Sequence, residues 1–219
     1  MMTTTRMNRH APSSLIRPLL LAATIGVTVP LLQGCFPVVA AGAGTAVMSA
    51  LDRRTTGTQV EDESIELRAE SRLREKLGNR ANVNVVSYNR NVLLTGQVAD
   101  EATRAEAATI VSEVPNVRGI SNETDIAGVS SLTQRSSDAV ITSKVKARIL
   151  DSQRVNANHV KVVTESGKVF LMGLLTEAEA RAAKEVAAST SGVRRVVAIF
   201  EIISADEARR LDTAGSQKK

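Results

Sequence analysis

The segment Val92-Leu93-Leu94-Thr95-Gly96-Gln97-Val98 returns 77 residues later as Val169-Phe170-Leu171-Met172-Gly173-Leu174-Leu175. Self-similarity at that distance constrains the fold more than any other feature, because it calls for two copies of one small unit. Arg104 falls on Arg181 at the same offset, and Val83 and Val85 fall on Val160 and Val162; after a one-residue deletion Val117 falls on Val193.

Each copy carries the same succession of periodicities. Ile65, Ala69, Leu73 and Leu77 in the first, and Ile141, Val145 and Ile149 in the second, are spaced by four, so each set lies on one helix face. Two strands follow, turning at Asn89-Arg90-Asn91 and at Ser166-Gly167 between alternating apolar runs. An alanine-rich helix comes next, over 100–114 and 177–190, the latter opened by Thr176 with Glu179 three residues on, a capping box. Asp100-Glu101 and Glu177 with Glu179 are explained by the positive end of the helix dipole rather than by acid-base work. A last strand, 117–126 and 193–203, completes an αββαβ unit. The expected fold class is α+β: two tandem units, each a three-stranded sheet covered by two helices. Gly96 and Gly173 sit within strands, where a missing side chain lets a helix or bulge approach closely. Each unit is only about 65 residues, near the lower limit for a self-sufficient core, so mutual packing would help both.

The only cysteine, Cys35, follows Leu32-Gln33-Gly34 at the end of an apolar stretch. Arg6, Arg9 and Arg17 make a basic region upstream, and Leu19 to Leu32 is short for a bilayer span. The pattern reads as a lipoprotein signal peptide over 1–34, cleaved before Cys35, whose thiol carries the lipid. Several acyl chains at about 0.8 kcal/mol per buried CH2 make dissociation from a membrane negligible. Phe36 and Pro37 follow the cysteine where an aspartate commonly signals inner-membrane retention, so the lipoprotein sorting rule favours the outer membrane. Residues 35–64 read as the lipidated cysteine and a tether rich in Ala, Gly, Val and Thr. The remaining boundaries are 65–127 for the first unit, 128–137 for a linker, 138–203 for the second unit and 204–219 for a tail that begins as a short helical extension and ends disordered.

Charge and inventory narrow the chemistry. Without residues 1–34 the net charge falls from +5 to +2, and residues 138–203 carry +3 against −1 for 65–127. No second cysteine offers a disulfide or a thiolate metal site. His159 is the one histidine beyond the signal peptide; it reads as a surface histidine at a loop-to-strand junction, with no nucleophile elbow or metal-ligand spacing beside it. Neither cofactor nor metal is expected. Export and the scarcity of aromatics (Phe36, Tyr88, Phe170 and Phe200) disfavour nucleic acid.

The duplicated αββαβ unit with its Val-x-Leu-x-Gly strand resembles the BON domain, and the lipobox, the phrase Gly57-Thr58-Gln59-Val60-Glu61-Asp62 and two such units in this order resemble the dual-BON outer-membrane lipoproteins. That resemblance implies a protein on the periplasmic face of the outer membrane that binds anionic phospholipid, gathers at the division site, and supports envelope integrity and the outer-membrane protein assembly machinery. It implies no enzyme.

The first helix of the second unit is the candidate lipid-contact site. With Ile141, Val145 and Ile149 facing the sheet, a 100° step puts Val140, Lys144, Ala147 and Asp151 on the opposite side, with Lys146 and Arg148 at the flanks. Apolar and basic groups together suit an anionic membrane surface. The family's lipid-binding helix often carries a bulky aromatic where Val140 stands here. In the equivalent first-unit helix Glu66, Glu70 and Glu75 alternate with Arg68, Arg72, Arg74 and Lys76, a solvated, salt-bridged face. An alternative reading is a periplasmic protein-protein scaffold assisting outer-membrane protein assembly, whose basic face meets an acidic partner without binding lipid headgroups.

Overall fold

The computed structural model describes Met1, residues 52–128 and residues 132–216. The signal segment, Cys35 and most of the expected tether lie outside the described residues, as do Gln217 to Lys219. Both repeats belong to one compact unit.

The first repeat is helix α1 (Thr56–Leu77), a 3-10 turn (Gly78–Arg80), strands β1 (Ala81–Tyr88) and β2 (Asn91–Val98), helix α2 (Glu101–Ser112) and short strands β3 (Gly119–Asn122) and β4 (Asp125–Ile126). The second is α3 (Leu132–Ser152), a 3-10 turn (Ala157–His159), β5 (Lys161–Glu165), β6 (Lys168–Leu175), α4 (Glu177–Ala188) and β7 (Arg195–Ile202), followed by α5 (Ala205–Ser216). In each sheet the middle strand pairs antiparallel with the strand before it and parallel with the strand after the crossover helix. The turn residues Asn89, Arg90, Ser166 and Gly167 all have positive φ, which gives the hairpins their tight two-residue connections. The capping box at Thr176 and Glu179 forms as expected.

Three expectations are corrected. Residues up to 64 do not all belong to a tether: α1 starts at Thr56, where the Thr55 hydroxyl accepts from Thr58 N–H at 3.1 Å and caps the helix. The linker expected over 128–137 is likewise helical from Leu132. The first unit's last strand, expected over 117–126, is broken into β3 and β4, both parallel to β2, because Asn122 turns its carboxamide to Thr124 at 3.2 and 2.7 Å.

β2 and β6 are buried on both faces. On one side Val92 and Leu94 pack with Ile65, Ala69, Leu73 and Leu77 of α1 and Ile110 of α2, while Val169, Leu171 and Leu175 pack with Ile141, Val145 and Ile149 of α3 and Ala183 of α4. On the other, Tyr88 and Leu93 of the first unit meet Phe170, Met172 and Leu174 of the second. The layers thus run helices, sheet, sheet, helices. Gln97 Nε2 to Glu165 at 2.8 Å, Lys161 to Glu66 at 3.0 Å and Lys168 to Asp125 at 2.6 Å join the two units around that shared core.

Gly96 and Gly173 admit a neighbour closely, but the neighbour is backbone rather than an α-helix: that of β1 at Gly96 and that of the 3-10 turn before β5 at Gly173. A Cβ at Gly96 would stand 2.1 Å from the Asn82 carbonyl oxygen, and one at Gly173 would stand 2.5 Å from that of His159.

Candidate functional site

Helix α3 presents the expected face. Ile141, Val145 and Ile149 are buried, whereas Val140 is 51 % exposed and Lys144, Lys146, Ala147 and Arg148 are all exposed. Leu150, 66 % exposed, was missed by the sequence reading. It lies one residue past the core position Ile149, and an apolar residue off the core spacing is the signal that would have found it. Val140, Ser143, Ala147 and Leu150 form a stripe along the helix, with Lys146 on one side and Lys144 and Arg148 on the other. The cations differ in freedom. Arg148 donates to the Ser189 carbonyl at 2.5 Å and to Thr190 Oγ1 at 3.1 Å, which satisfies the C-terminal end of α4. Lys144 and Lys146 have no ion pair among the described residues.

The corresponding face of α1 is ion-paired and neutralised. Arg68 lies 3.7 Å from Glu61, Arg74 3.6 Å from Glu70 and Lys76 3.4 Å from Glu113. Glu66 departs from the expected solvated face: it accepts from Ser87 N–H at 2.7 Å and from Lys161, so it serves the contact between the units.

A second cluster lies where the chain enters the first unit. Arg53, 6 % exposed, donates to both oxygens of Glu179 at 2.8 and 2.9 Å, to both of Asp212 on α5 at 2.8 and 3.1 Å, and to the Leu174 carbonyl at 2.8 Å. Burial opposes its charge, but these carboxylates raise its pKa overall. Glu179 is correspondingly lowered: burial works against ionisation, and the bonds from Arg53 and Thr176 outweigh it. The described part of the expected tail, 204–216, is therefore more than an extension, since α5 packs Ala208 into the body and supplies Asp212.

His159 belongs to this cluster and is not on the surface; it is 6 % exposed, because α5 and the segment at Arg53 cover it. Its Nδ1 has no hydrogen-bond partner and its Nε2 faces Asp212 at 3.7 Å. Burial, then the charge of Arg53, lower its pKa, with Asp212, Glu179 and Asp52 opposing. Nothing in this arrangement couples the imidazole to a nucleophile. Among the described residues no group of three His, Cys, Asp or Glu could hold a metal ion.

The family model of the BON domain matches residues 62–128 and 137–203. The chain is 38 % identical over 185 residues to the outer membrane lipoprotein DolP of Haemophilus influenzae, covering 84 % of this chain and 95 % of that protein. It is 37 % identical to the 21 kDa hemolysin of Actinobacillus pleuropneumoniae, over 70 % of this chain and 80 % of the relative, and 27 % identical to the osmotically-inducible protein Y of Escherichia coli, over 70 % and 78 %. The BON domain does not define a family of enzymes. This chain belongs to the BON-domain family, as a DolP-like protein that carries the domain twice.

Proposed function

We propose that this chain is an outer-membrane lipoprotein, anchored through Cys35 and facing the periplasm, that binds anionic phospholipid with the exposed face of α3 and supports envelope integrity at the division site. The observation that carries this reading is the stripe of Val140, Ala147 and Leu150 standing exposed between Lys144, Lys146 and Arg148. Apolar side chains enter the headgroup layer while each basic residue contributes about 1 kcal/mol near an anionic leaflet. Val140 buries less area than an aromatic would, and Leu150 adds a second apolar contact further along the same helix. The anchor holds the helix at high effective concentration, so modest intrinsic affinity suffices. The name of the relative from Haemophilus influenzae places that protein in the outer membrane as a lipoprotein, in keeping with the lipobox. Among the described residues no helix is long and apolar enough to cross a membrane.

Flotation on liposomes tests the reading, using the chain from residue 36 onward so that no acyl group contributes. Binding is expected only with anionic phospholipid, and Val140→Glu, Leu150→Glu or Lys144→Glu should each weaken it roughly tenfold or more by placing an acidic group at the anionic surface. Arg148 is a poor probe because its loss also disturbs the end of α4. Absence of binding to any vesicle would overturn lipid recognition and leave the basic face to an acidic protein partner.

A further inference from the structure

The last strand of the second unit is an open edge. β7 pairs with β6 over eight residues, Lys168↔Arg195 to Leu175↔Ile202, and with no other described strand. Exposed edges are normally short, broken or charged. The equivalent edge of the first unit is broken into four-residue β3 and two-residue β4. β7 instead runs unbroken through Val196, Val197, Ile199 and Phe200, with neither Pro nor Gly, and exposes Arg195, Ala198 and Ile202. Ile203 N–H donates to Leu175 O at 2.9 Å, so in this register the odd-numbered residues turn their backbone groups toward β6 and the even-numbered ones, Ala198 among them, toward the open side.

The strand is also self-complementary. In an antiparallel pair of two copies centred on Ala198, that residue faces its equivalent, Val197 faces Ile199, Val196 faces Phe200, and Arg195 faces Glu201 at both ends. Directly opposed residues point to the same side of a sheet, and the odd-numbered positions share the side that packs toward the first unit. Arg195 has no ion pair among the described residues. Glu201 uses one oxygen, Oε2, for Asn89 at 2.7 Å and Arg118 at 3.8 Å. We propose that β7 is a pairing edge for a second copy of this chain, which joins two second-unit sheets into one continuous sheet closed at both ends by Arg195–Glu201 pairs. Such a pair has its two-fold axis perpendicular to the sheet, so both α3 helices lie on the same side of it and can meet one surface. The pairing itself does not depend on lipid recognition.

The test uses the full chain in isolated envelopes, with Ala198→Cys oxidised to a disulfide across the two-fold axis and Asn84→Cys, exposed on the opposite kind of edge at β1, as the comparison. We expect the covalent dimer of Ala198→Cys to exceed that of Asn84→Cys at least tenfold. Arg195→Glu in the Ala198→Cys background should lower it roughly tenfold by opposing like charges at both ends, and Arg195→Glu with Glu201→Arg should restore it. Equal crosslinking at the two edges, capture of another protein in place of the dimer, or no restoration by the charge exchange would overturn the proposal. So would a monomer for the unsubstituted full chain sedimented in mild detergent at tens of micromolar.

Discussion

Asp62 and Asp138 make the same contact in the two units: each carboxylate, on the first helix, accepts both backbone amides of its own hairpin turn. Asp62 takes Asn89 N–H at 2.8 Å and Arg90 N–H at 2.7 Å, and Asp138 takes Ser166 N–H and Gly167 N–H, each at 2.8 Å. The contact fixes the helix against the hairpin. Both side chains are buried, and the amides they satisfy have no strand partner across the turn.

Removal of either carboxylate should therefore cost more than an ordinary surface change. Asp138→Ala is expected to destabilise by about 2–3 kcal/mol, the upper part of the range for hydrogen bonds to a charged group, because two amides lose their acceptor. Asp62→Ala should cost more, because Asp62 also accepts from Ser87 Oγ and Arg54, each at 2.7 Å. Urea denaturation midpoints measure both.

Arg53 ties α4, α5 and the entry segment together, and its loss strands Glu179 and Asp212. Arg53→Ala should destabilise by about 3 kcal/mol, as breaking a buried ion pair does. Arg53→Lys should not rescue it, since an ammonium cannot reproduce the two forked contacts. Amide hydrogen exchange should localise the change to α5, whose residues 205–216 lose protection in the variant.

Thr95 predicts a change of opposite sign. It is 1 % exposed and its Oγ1 has no hydrogen-bond partner, whereas the repeat places Met172 at the same point of β6. Thr95→Val keeps the shape and removes a buried hydroxyl that contributes nothing, so stability should rise by about 1 kcal/mol in thermal or urea unfolding.

The pH dependence follows from His159. Its folded pKa is depressed, so the unfolded chain takes up the proton first as pH falls. Stability contributed by the neutral, buried imidazole is present above about pH 6.5, the unfolded value, and declines as pH falls through the folded pKa. Glu179, also depressed, contributes stability above the ordinary carboxylate range that is lost at more acidic pH. Between pH 7.5 and 5.5 the wild type should lose Tm, and His159→Phe should lose less over the same interval. An equal slope in the two would show that His159 is not the titrating group.

Local patterns were legible because local physics makes them. The spacing of Ile65, Ala69, Leu73 and Leu77 named a helix face, Asn89-Arg90-Asn91 and Ser166-Gly167 named turns, and Thr176 with Glu179 named a helix start; all are found except that Asn91 already belongs to β2, paired with Tyr88. The face of α3 was likewise readable from Ile141, Val145 and Ile149. What escaped depends on groups far apart in the chain. His159 read as exposed because its cover comes from Arg53 and Asp212, and Arg148 read only as a flank of the lipid-contact face because its carbonyl partner, Ser189, lies 41 positions on. The shared core did leave a trace that the expectation of alternating runs passed over: Val169 to Leu175 is apolar without alternation, as a strand buried on both faces must be.

That two-sided burial bears on how such a chain could be recombined. A single unit detached from its neighbour would show water the strip of Tyr88 and Leu93, or of Phe170, Met172 and Leu174. Each unit is the cover for the other's strip, so either half moved alone into another protein would have to find a replacement lid there.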